Sequence, residues 1–191
     1  MNNILKKKYI TTNDIIVEPN DILKEKSSNV NLPLSKEDKQ LLRLMYNHVA
    51  NSQDEDYAKK YHIRAAVGIA AIQVGIKKRL IAIKTKSENH SMRLALANPI
   101  ITYKSEQMCY LNPGEGCLSV EEGKYHGIVP RHFHIKVEAY NLLSNSKVLI
   151  EARGFDAIVL QHEIDHLDGI LYIDRINKLD PDYKKEDWIS I

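Results

Sequence analysis

The stretch Gln161-His162-Glu163-Ile164-Asp165-His166-Leu167 decides how the rest of the chain is read. His162 and His166 are four residues apart, so on a helix both imidazoles leave one face and reach a single metal ion. Glu163 lies beside the first histidine and can accept a proton from a metal-bound water. Phe155, Ile158, Val159 and Leu167 are apolar at spacings that bury one side of such a helix. The helix opens near Gly154 and stops at Gly169, a glycine suited to the position just past a helix end. Two histidines on a solvated, charged helix face are the bland alternative.

Working outward, the segments on either side are rich in strand formers. Arg79 to Ile83 reads as a strand, Arg93 to Asn98 as another, and Ile100 to Tyr103 as a third begun after Pro99. His134 to Tyr140 alternates cleanly, and Lys147 to Ala152 follows a turn at 141–146. Together they predict an antiparallel hairpin with one wet and one buried face. Ile170 to Ile173 reads as extended, and the charged tail beyond it as peripheral. Toward the N-terminus, Ser35 reads as an N-cap with Glu37 and Asp38 favourable in the first turn. Leu41, Leu42, Leu44, Met45 and Val49 then recur at helical spacing to about Ser52. Residues 1–34 look irregular. The fold class expected is α+β: antiparallel β-sheets packed around a central HExxH helix, with an additional N-terminal helix.

Composition narrows the class. The 191 residues are 43% hydrophobic and 27% charged, which fits a single domain spanning 1–191. Lys plus Arg number 27 against 25 for Asp plus Glu, a net +2, and this is no nucleic-acid-binding signature. The first 21 residues lack the apolar core of a secretory signal, and no apolar run approaches the roughly 20 residues of a membrane span. With only Cys109 and Cys117, a disulfide framework is excluded, and the expected location is the cytoplasm.

Two histidines are an incomplete site, because three protein ligands and an open position are usual. Two candidates complete it. Glu186 lies 20 residues beyond His166, a separation open to a helical metalloprotease. Cys117, in Glu115-Gly116-Cys117-Leu118-Ser119, offers a thiolate for zinc or ferrous iron, and Gly116 beside it permits close backbone approach. A third element, Ala66-Val67-Gly68-Ile69-Ala70-Ala71-Ile72-Gln73, is small-residue backbone ending in an amide suited to an oxyanion.

In this order, the three segments resemble the motifs of the peptide deformylase family: G-x-G-x-A-A-x-Q at 66–73, E-G-C-L-S at 115–119 and Q-H-E-x-D-H at 161–166. The second and third are complete. Ala66 replaces the first glycine, at a cost of about 1 kcal/mol if that position has positive φ and none otherwise. Ile72 stands where proline or threonine is common. The insertion before Gly68 resembles the type II, Gram-positive-like branch.

The resemblance implies a hydrolase of protein biosynthesis that removes the formyl group from N-formylmethionine of nascent polypeptides and releases formate. Cys117, His162 and His166 would bind one divalent metal. Ferrous iron is the family's active ion, nickel or cobalt replace it, and zinc suits the Cys-His-His set by ligand type. A metal-bound water would be the nucleophile and Glu163 the general acid and base. The Gln73 amide and Leu118 N–H would stabilise the oxyanion. Val67, Gly68 and Gly116 would hold the peptide backbone, with Phe155, Ile158 and Val159 lining a methionine pocket. Arg131 matches a family arginine and is expected to pair with Glu115. Formylmethionyl peptides are the implied partners, and the ribosome is expected with them. Cys109 and His48, His62, His90, His126, His132 and His134 receive no role. A protease built on Glu186 and a metal-binding paralogue without turnover are the competing readings.

Overall fold

The computed structural model describes residues 3–86 and 91–191; Met1 and Asn2, within the stretch read for a signal, and His90 lie outside them. Three short 3-10 turns occupy Asn3–Lys6, Thr12–Asp14 and Asp21–Lys24. Helix α1 (Lys36–Ser52) begins where the Ser35 hydroxyl accepts the Asp38 N–H at 3.0 Å. A second helix, α2 (Glu55–Tyr61), was not expected. None of its side chains is buried, so it carries no apolar stripe to read.

A five-stranded antiparallel sheet follows: β1 (Gly68–Ala70), β2 (Leu80–Lys84), β3 (Arg93–Lys104), β6 (His134–Asn141) and β7 (Ser146–Arg153), in that spatial order. Both faces of its first strands are covered. Leu80, Ala82, Ala95 and Ala97 pack with Leu41, Leu42 and Met45 of α1. Their neighbours Ile81, Ile83, Leu94 and Leu96 join Val159, Leu160 and Ile164 of the last helix, α3 (Gly154–Leu167). The sheet is therefore a middle layer, and the period of two sends alternate side chains to different helices.

β3 is one strand where two were expected. The register shifts between Ala97 and Ile100, so the proline falls within a bulge and interrupts the ladder only locally. Asn98 takes a positive φ there, and its amide bonds both the N–H and the carbonyl of Val30 at 2.8 Å. The β6–β7 hairpin pairs from His134↔Arg153 to Asn141↔Ser146.

A second, three-stranded sheet has the order β5 (Arg131–His132), β4 (Met108–Tyr110), β8 (Ile189–Ser190). Its β4–β8 pair is parallel, so the sheets are not antiparallel throughout. The tail expected at the periphery thus returns as a strand. Ile170–Ile173, read as extended, instead leads into a 3-10 turn at Tyr172–Asp174. Past α3, Gly169 has φ 73° and donates to His166, while Ile170 donates to Asp165. A Cβ at Gly169 would also lie 2.3 Å from the Lys24 carbonyl oxygen. No described helix is long and apolar enough to cross a membrane.

Candidate active site

Helix α3 carries His162, Glu163 and His166, the first two of which line a cavity of about 350 Å³. The 111–120 loop, continuing from β4, brings Cys117 to meet them. One donor atom from each of Cys117, His162 and His166 lies within 4.8 Å of the other two, a set able to hold one metal ion. Cys117 Sγ is 3.3 Å from His166 Nε2. The rings of His162 and His166 are 5.0 Å apart. Glu186, the alternative third ligand, is exposed in the tail and belongs to no such group. Among the described residues Cys109 and Cys117 are both free thiols, and Cys109 is fully buried.

A line of charges supports the imidazoles. His162 Nδ1 is bonded to Glu115 at 2.7 Å, which leaves Nε2 to face the site. Arg131 grips Glu115 with Nε at 2.7 Å and Nη2 at 2.9 Å, and its Nη1 donates to Asp165. Arg175 closes the chain on the outer side of Asp165. Burial works to raise the Glu115 carboxyl, but Arg131 and His162 outweigh it and hold the group down at about 2. Burial also works against a charged His162, yet bonds to Cys117 and Glu115 lift it well above the usual histidine value. His166 goes the other way: burial, with the charges of His162 and Arg131, pushes it well down. The helix thus holds one imidazole that favours charge and one that resists it.

Glu163 has a different setting. Burial raises its carboxyl to about 7, and its Oε2 is buried with no hydrogen-bond partner among the described residues. The side chain packs on Gly68 so closely that a Cβ there would lie 2.3 Å from Oε1. Gly68 is thus a glycine because of Glu163. Ala66 is free of the strain considered for it, since its φ is not positive. Gly116 departs from expectation: nothing lies within 4 Å of where its Cβ would be, so it leaves open space instead of permitting close contact.

Gln73 is buried in the 3-10 turn Ala71–Val74 that follows β1. Its Oε1 accepts the Ala70 N–H at 2.8 Å, which turns the amide nitrogen toward Ser119 Oγ (3.1 Å) and Cys117 Sγ (3.6 Å). No acceptor among the described residues takes the Leu118 N–H. Val67, Gly68, Gly116, Leu118, Phe155, Ile158 and Val159 all line the cavity. Phe155 and Val159 also pack into the α3 core, while the buried Ile158 belongs to none of the apolar clusters. Gln53, Arg64 and Leu111 line the cavity as well and carried no signal in the sequence. They belong to none of the three motifs and reach the site only through the fold.

The family model described as polypeptide deformylase matches residues 12–182. A peptide deformylase of Halalkalibacterium halodurans is 46% identical over 178 residues, 93% of this chain and 97% of the relative. Peptide deformylase 2 of Geobacillus stearothermophilus is 44% identical, covering 90% and 93%. Among solved structures, a Met-Ala-Ser-bound class I type b peptide deformylase from Acinetobacter baumannii superposes with a TM-score of 0.64 at 32% identity, over 85% of this chain and 96% of that one.

Proposed function

The chain belongs to the polypeptide deformylase family, and from that premise we propose that it hydrolyses the N-terminal formyl group of N-formylmethionyl peptides, releasing formate. The observation that carries the reading is the meeting of three donors, Cys117, His162 and His166, beside a cavity lined by Cys117, His162 and Glu163, whose buried carboxylate oxygen has no partner among the described residues. A thiolate and two imidazoles fit a divalent cation, and the Glu115 bond to His162 is the outer support that such ligands commonly have. The family expectation is ferrous iron, with nickel, cobalt or zinc as replacements.

When bound, the cation lowers the pKa of water and polarises the formyl carbonyl. The remaining work falls to the chain. Glu163 takes the proton from the attacking water and passes it to the departing amine. Its burial suits that task, because it raises the carboxyl above the ordinary carboxylate range and so favours a group that can hold and return a proton. The Gln73 amide, fixed by Ala70, and the unpaired Leu118 N–H donate to the oxyanion. β1 is the end strand of its sheet, so an extended peptide can lie beside Val67 and Gly68 as an added strand. Phe155, Ile158 and Val159 line the apolar end that takes the methionine side chain, and Gly116 leaves the opposite side open.

We assign 1–191 to one domain of family architecture, the HExxH helix α3 being its metal-binding element and α1 its added N-terminal helix. The cytoplasm, where nascent formylated chains leave the ribosome, is the corresponding location. The insertion before Gly68 supports the type II branch.

The test is formate release from formyl-Met-Ala-Ser by anaerobically purified protein loaded with ferrous iron or nickel, beside Glu163→Ala. Turnover by the wild type and none by a variant that keeps its metal is expected. A folded, fully loaded wild type without turnover overturns the reading in favour of a binding-only paralogue, and failure to load any metal overturns the site.

A further inference from the structure

Among the described residues Arg64 is the one lysine or arginine lining the cavity. Its guanidinium donates to three backbone carbonyls, those of Cys117, Leu118 and Val120, each at 3.4 Å. Among the described residues no carboxylate pairs with it, in contrast to Arg131, which pairs with Glu115 and Asp165. Neutral carbonyls at that distance make weak bonds and leave the positive charge uncompensated. A half-buried cation facing a cavity without a counterion attracts an anion from whatever enters.

The position says which part of a peptide it meets. Glu163 marks the reacting end, packed on Gly68. Arg64 is four residues earlier, at most roughly 13 Å along an extended chain, and its side chain reaches back across the cleft to the 117–120 loop. That span covers the residues just after the first one of a bound peptide.

We infer that Arg64 is a specificity-determining residue, favouring peptides that carry a carboxylate in the second or third position behind formylmethionine. The inference rests on the deformylase reading. The carboxylate has two sources, an acidic side chain or the C-terminus of a very short peptide, and both satisfy the same guanidinium.

The experiment compares kcat/KM for formyl-Met-Ala-Ser, formyl-Met-Glu-Ser and formyl-Met-Ala-Glu with their lysine counterparts, all as C-terminal amides. The free acid of formyl-Met-Ala-Ser is added to separate the two sources. Wild type should favour glutamate over alanine about five-fold, the scale of a partly screened ion pair, and disfavour lysine. Salt should narrow the range. Arg64→Gln should bring the glutamate-to-alanine ratio toward one, and Arg64→Lys should keep most of it. A ratio left intact while all peptides lose rate equally makes Arg64 a clip between strand and loop, and overturns the inference. A wild type indifferent to charge overturns it too. Should Arg64→Gln fail to fold, Arg64→Lys and the salt dependence of the wild-type ratio decide. Calorimetric binding of the deformylated peptides to metal-loaded protein separates the two claims. Charge-selective binding without formate release keeps Arg64's role and removes the deformylase reading.

Discussion

Behind the cavity Arg131 meets Glu115 at 2.7 and 2.9 Å with both side chains about 2–3% accessible, whereas Arg64, which lines the cavity, spans three neutral carbonyls at 3.4 Å. The same residue type is locked in one place and loosely tethered in the other. A buried guanidinium survives only if carboxylates surround it, and once surrounded it fixes whatever those carboxylates touch. Here that is the His162 imidazole. The loosely held cation fixes little and keeps its charge available. Rigidity accumulates where ligands must be aimed, and slack remains where a chain must enter.

The contrast can be broken at its centre first. Cys117→Ala should abolish stoichiometric metal in elemental analysis, since two imidazoles alone leave too few protein donors. Next is Gly68→Ala, which drives a methyl group against Glu163. Activity should fall at least about 100-fold while metal content stays unchanged, because a displacement of an ångström at a catalytic group costs that much.

Arg131→Met attacks the locked side and leaves Glu115 in the interior with only His162 beside it, while Arg175 still holds Asp165. A loss of about 3–5 kcal/mol in urea unfolding is expected, with Arg64→Gln costing about 1 kcal/mol or less. Equal losses would erase the distinction between the two arginines. The last test is in pH. Glu115 titrates near 2 when folded and near 4.5 when unfolded, so its contribution is complete above pH 4.5 and is lost as pH falls toward 2. Urea midpoints of the metal-free protein should show that decline, and Arg131→Met should flatten it.

How much of this was legible in the sequence follows the range of the interactions. Ser35 and the α1 stripe, the β6–β7 alternation and the stop at Gly169 are local patterns, and each corresponds to an observed element or cap. α2 was missed because a helix with no buried residue has no pattern of burial. Pro99 misled because its cost to a ladder was read without the Asn98 bulge that absorbs it. β8 was missed because a two-residue strand is defined by its partner, about 80 positions away. At the site the motifs named the three donors and Glu163, since each motif binds its own residues into a fixed spacing. Asp165 and Arg175 as supports, and Arg64 and Gln53 as cavity walls, depend on contacts between segments far apart in sequence. Of these only Asp165 sat inside a motif, three positions after His162.

The placement of the two cysteines has a practical use. Cys109 is sealed from solvent, and burial lifts its thiol to about 11, so alkylating dyes leave it unmodified in the native fold. Cys117 opens on the cavity. One reactive thiol per molecule therefore counts vacant centres and none counts filled ones, and a single absorbance reading grades a preparation before any substrate is added.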